Sequence, residues 1–178
     1  ALVRLSAEGL ITTLTNRATI VSQIDFLGLP EFFDALTLMY RVTTRLAAAN
    51  HTEADIAQIR TLQSAFALAV EQRDALAMIS TNRDFHVAIA QAGGNRHYVE
   101  LFTRLLDEGR RILRLYYSSF NDVLPNQYVS EHEDMIQAII DRDVEKADAL
   151  ARAHADQIVT QIRSYITADT RQSANLSL

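Results

Sequence analysis

Residues 74–95 read Asp-Ala-Leu-Ala-Met-Ile-Ser-Thr-Asn-Arg-Asp-Phe-His-Val-Ala-Ile-Ala-Gln-Ala-Gly-Gly-Asn, and their punctuation decides the fold. Asp74 has the chemistry of a helix N-cap, and the Gly93-Gly94 pair stops a helix because glycine takes the left-handed turn without strain. Between them His86 has Asn82 one turn before it and Ile89 and Ala90 one turn after, so an imidazole stands in a largely apolar row.

Outward from this helix, apolar residues keep helical spacing from Pro30 almost to the end of the chain, and β-branched alternation is rare. Pro30 and Glu31 open a first helix whose apolar positions Phe32, Phe33, Leu36, Met39, Tyr40 and Leu46 run to about Asn50. Thr52 and Asp55 have capping-box spacing and open a second helix through Ile56, Ile59, Leu62, Phe66 and Ala69. Asn95 caps a fourth, long helix expected to reach about Phe120. Turn chemistry fills Asn121 to Pro125, and two more helices follow, about Gln127 to Asp141 and Asp143 to about Thr167. The expected fold is all-α, an antiparallel bundle of about six helices.

The composition agrees. A chain of 178 residues suits one domain, and 48% apolar with 22% charged residues excludes a disordered or collagen-like polymer. Without cysteine there is no disulfide scaffold, thiolate metal site or cysteine nucleophile, so any metal must use His, carboxylate or amide ligands. A net charge of -5 argues against non-specific nucleic-acid binding by the chain as a whole. No stretch approaches the roughly 20 apolar residues of a membrane span, and no signal peptide is evident, so a cytoplasmic location is expected.

The first 25 residues differ from the rest. Leu2, Leu5 and Leu10 around Gly9 read as the end of a helix, and residues 10–14 and 18–24 as strands flanking Thr15-Asn16-Arg17. Such a unit is either the tail of a winged helix-turn-helix or a hairpin packed on the bundle. The chain does not begin with Met and opens in what reads as mid-helix, so an earlier segment is expected to be missing. The expected organisation is residues 1–25 as a winged-helix remnant, 30–168 as the helical domain and 169–178 as a flexible tail.

Helical arithmetic sorts the histidines. His51, between two helices, and His97, in a first turn, are expected to be solvated. His132 shares a face with Ile136 and Ile139, and His154 stands between Leu150 and Ile158, so with His86 three imidazoles occupy core-facing stripes of three helices. Each is costly without partners, on the order of 1 to 3 kcal/mol. One metal ion satisfies all three; the alternative is three separate core histidines bonded to carbonyls or water.

Asn82-Arg83-Asp84-Phe85-His86 followed by Ala88-Ile89-Ala90 and Gly93-Gly94-Asn95 resembles the FCD, or FadR-like, effector-binding domain of GntR-type bacterial transcription regulators. Glu131-His132 with Ile136, Ala138-Ile139 and Asp141, then Ala147, Ala151 and His154, resembles the closing pattern of that domain, with Arg142 in place of its usual glycine. The match runs from about Pro30 to Thr167, and residues 1–11 are similar to the end of a recognition helix and the entry to the wing. The resemblance implies an intact protein that binds operator DNA as a homodimer, with Arg4 and Arg17 the basic residues here that could meet phosphates.

In metal-binding members a carboxylate one turn before the first His joins three histidines. Here Asn82 holds that position, a neutral and weaker donor, and Asp84 points to another face. The implied ligand set is Asn82, His86, His132 and His154, which suits Zn or Ni better than Mg or Ca. Neutral ligands leave the ion's charge uncompensated, so a small organic acid is the expected effector. Arg41, Arg104, Arg111 and Tyr116 are candidate effector contacts, while Leu36 and Tyr40 replace the first-helix Arg and Glu usual in the family. Two other functions compete: a metal-free helical dimerisation module with structural core histidines, and a metal-dependent hydrolase. The hydrolase lacks both a Glu-x-x-His pair and a His-Glu-x-x-His motif.

Overall fold

The structure is a computed structural model that describes residues 11–15, 18–21 and 27–174. Strands β1 (Ile11–Thr13) and β2 (Thr19–Val21) pair antiparallel with Thr13 opposite Thr19. Residues 10 and 22–24 of the expected strands and the helix end expected at residues 2–10 lie outside the described residues, as do Arg4 and Arg17. Helices α1 (Leu29–Asn50), α2 (Glu53–Glu71), α3 (Ala75–Ala92), α4 (Arg96–Glu108), α5 (Arg110–Ser118), α6 (Gln127–Ile140) and α7 (Val144–Ala174) form the bundle.

Local chemistry sets most of these boundaries. Thr52 and Asp55 form a reciprocal capping box at the start of α2. The Asp74 carboxylate accepts from the Leu76 and Ala77 amides, and the Asn95 side chain does the same for His97 and Tyr98. Gly94 takes the left-handed φ of 76° that closes α3.

Two helix ends differ from expectation. The fourth helix divides at Gly109 into α4 and α5, where a Cβ would come within 3.1 Å of the Phe32 ring. Glycine there lets α1 pack against the break. The last helix runs to Ala174 rather than ending near Thr167, since no Gly or Pro interrupts residues 168–174 and propagation adds one hydrogen bond per residue fixed.

The interior has two adjoining apolar clusters. One gathers Tyr40, Ile59, Phe85, Ile89, Phe102, Met135 and Ile139. The other gathers Phe33, Phe66, Met78, Tyr116, Tyr117, Tyr128 and Ile162. Burying an Ile or Phe this fully contributes about 1.5–3 kcal/mol. Small residues, Ala47 and Ala48 on α1 and Ala147, Ala151 and Ala155 on α7, are all essentially inaccessible and let helix surfaces approach closely.

Arg142 explains how a non-glycine residue stands where the family pattern has glycine. Its φ is 55°, and its guanidinium donates to the Ala49 carbonyl at 2.8 Å and the His51 carbonyl at 2.9 Å. Those bonds satisfy carbonyls that the end of α1 leaves open, which offsets the left-handed backbone. No described helix is long and apolar enough to cross a membrane.

Candidate metal centre

His86 on α3, His132 on α6 and His154 on α7 meet in the interior. They are 1%, 1% and 6% exposed, and one ligand nitrogen from each lies within 4.8 Å of the others. Their ring centroids are 5.0 to 5.3 Å apart. Helical spacing places each imidazole on its core-facing stripe, and α3, α6 and α7 bring those stripes to one point.

Two of the rings are oriented by partners that the sequence pattern did not single out. The Gln63 amide nitrogen donates to the Val129 carbonyl at 3.0 Å, which turns its oxygen toward His132 Nδ1 at 2.9 Å. His132 therefore donates through Nδ1 and keeps a lone pair on Nε2. His154 Nδ1 lies 3.3 Å from a Glu131 carboxylate oxygen, which favours the same tautomer. A carboxylate behind a ligating imidazole is the arrangement that orients histidines around a metal and raises their basicity. Gln63 carried a signal, since it falls on the buried row of α2 with Ile59 and Phe66. Glu131 stood in the family pattern, but its contact with His154 was not legible, because it crosses from α6 to α7.

The surroundings keep two of the rings, His86 and His132, neutral. Burial, with the neighbouring His154 second, holds His86 far below the usual imidazole value of 6.5; burial followed by His86 and His154 does the same for His132. Phe85 stacks on His132 with centroids 4.3 Å apart, and Tyr40 meets His86 edge-on at 4.7 Å and His154 at 5.5 Å. Burial pushes the Tyr40 hydroxyl upward, partly offset by Asn82, so the phenol stays protonated beside the cluster.

The donor set fits a divalent cation on one observation in particular. Among the described residues the buried side-chain atoms without a hydrogen-bond partner are His86 Nε2, His154 Nε2, Asn82 Nδ2 and Gln157 Oε1. Three belong to the four residues expected as ligands, and the fourth is one turn beyond His154. Such orphans are rare in folded proteins, and an ion or ordered water is their usual explanation. Asn82 is 3% exposed, and its amide can present either end to the site.

The expected effector contacts do not converge there. Arg41 makes a two-pronged ion pair with Asp148 at 2.8 and 2.9 Å, and the exposed Arg104 pairs with Glu108 at 2.9 Å. Arg111 lines a surface groove with Arg110, Arg114 and Leu76. Tyr116 is buried in the second cluster, where its hydroxyl accepts from Gln157 Nε2 at 3.2 Å. His51, expected in solvent, is 8% exposed: its Nδ1 lies 2.9 Å from the Ala47 carbonyl, and Arg142 donates to its backbone carbonyl. His97 is exposed, as expected.

A family model described as the FCD domain matches residues 31–157. No curated protein matches. Among solved structures, E. coli McbR/YncC is similar with a TM-score of 0.81 at 20% identity, over 92% of this chain and 81% of that one. A GntR-family transcriptional regulator from Pseudomonas syringae pv. tomato str. DC3000 is similar with a TM-score of 0.71 at 20% identity, over 97% and 70%. A GntR transcriptional regulator from Rhodococcus sp. RHA1 gives 0.75 at 14% identity, over 92% and 77%. Identities this low establish likeness of fold alone.

Proposed function

Because the chain belongs to the FCD domain family, we propose that it is the sensing and dimerising part of a GntR-type transcription regulator. In this reading, a divalent cation, Zn or Ni, is held by His86, His132 and His154 with Asn82 beside them, and a small organic acid completes the site. The domain family and its regulator folds point to a non-enzymatic role.

The observation that carries the reading is the meeting of three buried imidazoles, two of which, His86 and His154, keep a buried Nε2 without a partner. When bound, the cation supplies positive charge that neutral ligands leave uncompensated, which favours an anion in its open positions. The chain's own residues do the rest. Gln63 and Glu131 fix the His132 and His154 rings, while Tyr40 and Phe85 close the site against water. Helices α3, α6 and α7 carry the ligands on separate elements, so occupancy ties them together. In a homodimer that tie would bias how two DNA readers are spaced on an operator, a population shift rather than a new fold.

The test is the His132→Ala variant. It is expected to lose the metal found in the loaded wild-type chain by elemental analysis, and with it the binding of organic acids, while keeping its helical circular dichroism. Full metal content in the variant would overturn the site.

A further inference from the structure

Away from the histidine cluster, a groove of about 540 Å³ lies between the first turns of α3 and α5. Helix α3 supplies Leu76, Ala77 and Ile79, and Leu76 is 74% exposed. Helix α5 supplies Arg110, Arg111 and Arg114, which share one face of it, and none of the described lining residues is acidic. Asp107, 3.9 Å from Arg110, is gripped by Arg83 at 2.8 and 3.2 Å, so Arg110 keeps most of its hydrogen-bonding capacity. Arg114 is engaged differently. It donates to both Asp122 carboxylate oxygens, at 2.7 and 3.1 Å, and to the Ser118 hydroxyl at 2.8 Å. Asn121 and Asp122 hold left-handed backbones in succession, with φ of 53° and 60°, a conformation that L-residues visit singly. Arg114 therefore pins a strained turn. The chain beyond it buries Leu124 and enters α6, the helix that carries His132.

We propose that this groove takes a soluble phosphate monoester with an apolar body, and that the phosphate draws Arg114 away from Asp122 and so loosens the turn leading into α6. The walls set the chemistry. A monoester carries close to two negative charges at neutral pH and three acceptor oxygens, which can engage two guanidiniums at once, whereas a carboxylate offers one charge and two oxygens. The volume, within the usual range of small-molecule sites, exceeds what a bare phosphate fills, and Leu76, Ala77 and Ile79 offer the remainder to an apolar group. Arg114 supplies the coupling, since it lines the groove and holds Asp122 with the same guanidinium. An anion in the groove competes with that carboxylate, and the paired left-handed residues lose what holds them.

The experiment is isothermal titration of the chain, before metal loading, with n-hexyl phosphate, inorganic phosphate and hexanoate. Hexyl phosphate is expected to bind about fivefold more tightly than inorganic phosphate and about tenfold more tightly than hexanoate. Arg110 is exposed, so Arg110→Gln should keep the helical circular dichroism while weakening the ester about tenfold. Asp122→Asn, which removes the competitor for Arg114, should tighten it about fivefold. In the wild-type chain, amide hydrogen exchange over residues 119–126 should quicken when the ester binds. Affinity that ignores Arg110→Gln or Asp122→Asn, or exchange that the ester leaves unaltered, would overturn the inference. Inorganic phosphate binding as tightly as the ester would mean an adventitious ion only and would overturn it too, as would binding confined to phosphatidic acid in phosphatidylcholine vesicles. The His132→Ala chain should bind the ester as the wild type does; loss of binding there would place the anion at the interior histidines and overturn the groove.

Discussion

Two regions of the bundle bury histidine in opposite ways. At the end of α1, His51 is covered by the chain, places Nδ1 against the Ala47 carbonyl, and has its own carbonyl taken by Arg142. In the interior, His86 and His154 keep buried ring nitrogens that meet no partner. Burial alone therefore does not distinguish a site from a well-satisfied core residue. The distinguishing feature is polar capacity left open at a point where several helices converge.

The strongest way to break this contrast is to remove one histidine from each region and compare the response to metal. Zinc at a thousandfold its dissociation constant should stabilise the wild-type chain by about 4 kcal/mol, seen as an upward shift in Tm. His51→Ala should keep that response in full, whereas His86→Ala should lose it. Equal responses in the two variants would erase the distinction.

Asn82→Asp sharpens the interior half of the comparison. A carboxylate one turn before His86 adds charge to the ligand set, so metal affinity should rise about tenfold or more. Without metal the same carboxylate is buried beside neutral rings, and unfolding should become easier by about 2–3 kcal/mol. Chemical denaturation of both forms measures the crossing, and a variant less stable in both would count against a cation at this point.

Acid separates folded from unfolded rings. His86 and His132 are held far below 6.5 by burial in the fold, while in the unfolded chain they protonate near that value. Above about pH 6.5 both states are neutral and stability is unaffected. As pH falls below it the unfolded chain binds protons that the fold refuses, so the metal-free bundle should lose up to about 1.4 kcal/mol per pH unit for each group. Thermal denaturation between pH 7.5 and 5.5 reads this, and a flat profile would mean that the rings are not desolvated. The smallest effect belongs to the α1 end: Arg142→Ala should cost about 1 kcal/mol through two lost hydrogen bonds, with metal content unchanged.

The same contrast shows what a sequence can disclose. Caps and stops are local, so Thr52, Asp74, Gly93-Gly94 and Asn95 mark their helices directly, and core-facing stripes follow from spacing. The three site histidines were legible for that reason. The break at Gly109 was not, because it depends on Phe32 arriving from α1. His51 misled because a junction between helices can be packed over: its ring turns back to the Ala47 carbonyl and Arg142, distant in sequence, takes its own carbonyl. Glu131 and the partners of Arg41 and Arg104 depend on which helix lies alongside, or on side-chain direction, and neither is written in periodicity.

X-ray absorption at the edge of the bound metal tests the central claim most directly, since it counts the imidazoles around the ion. Three histidine ligands at about 2.0–2.1 Å, falling to two in the His154→Ala chain, are the expected result. A metal shell of water and carboxylate oxygens, unchanged by that substitution, would place the ion elsewhere and contradict the account.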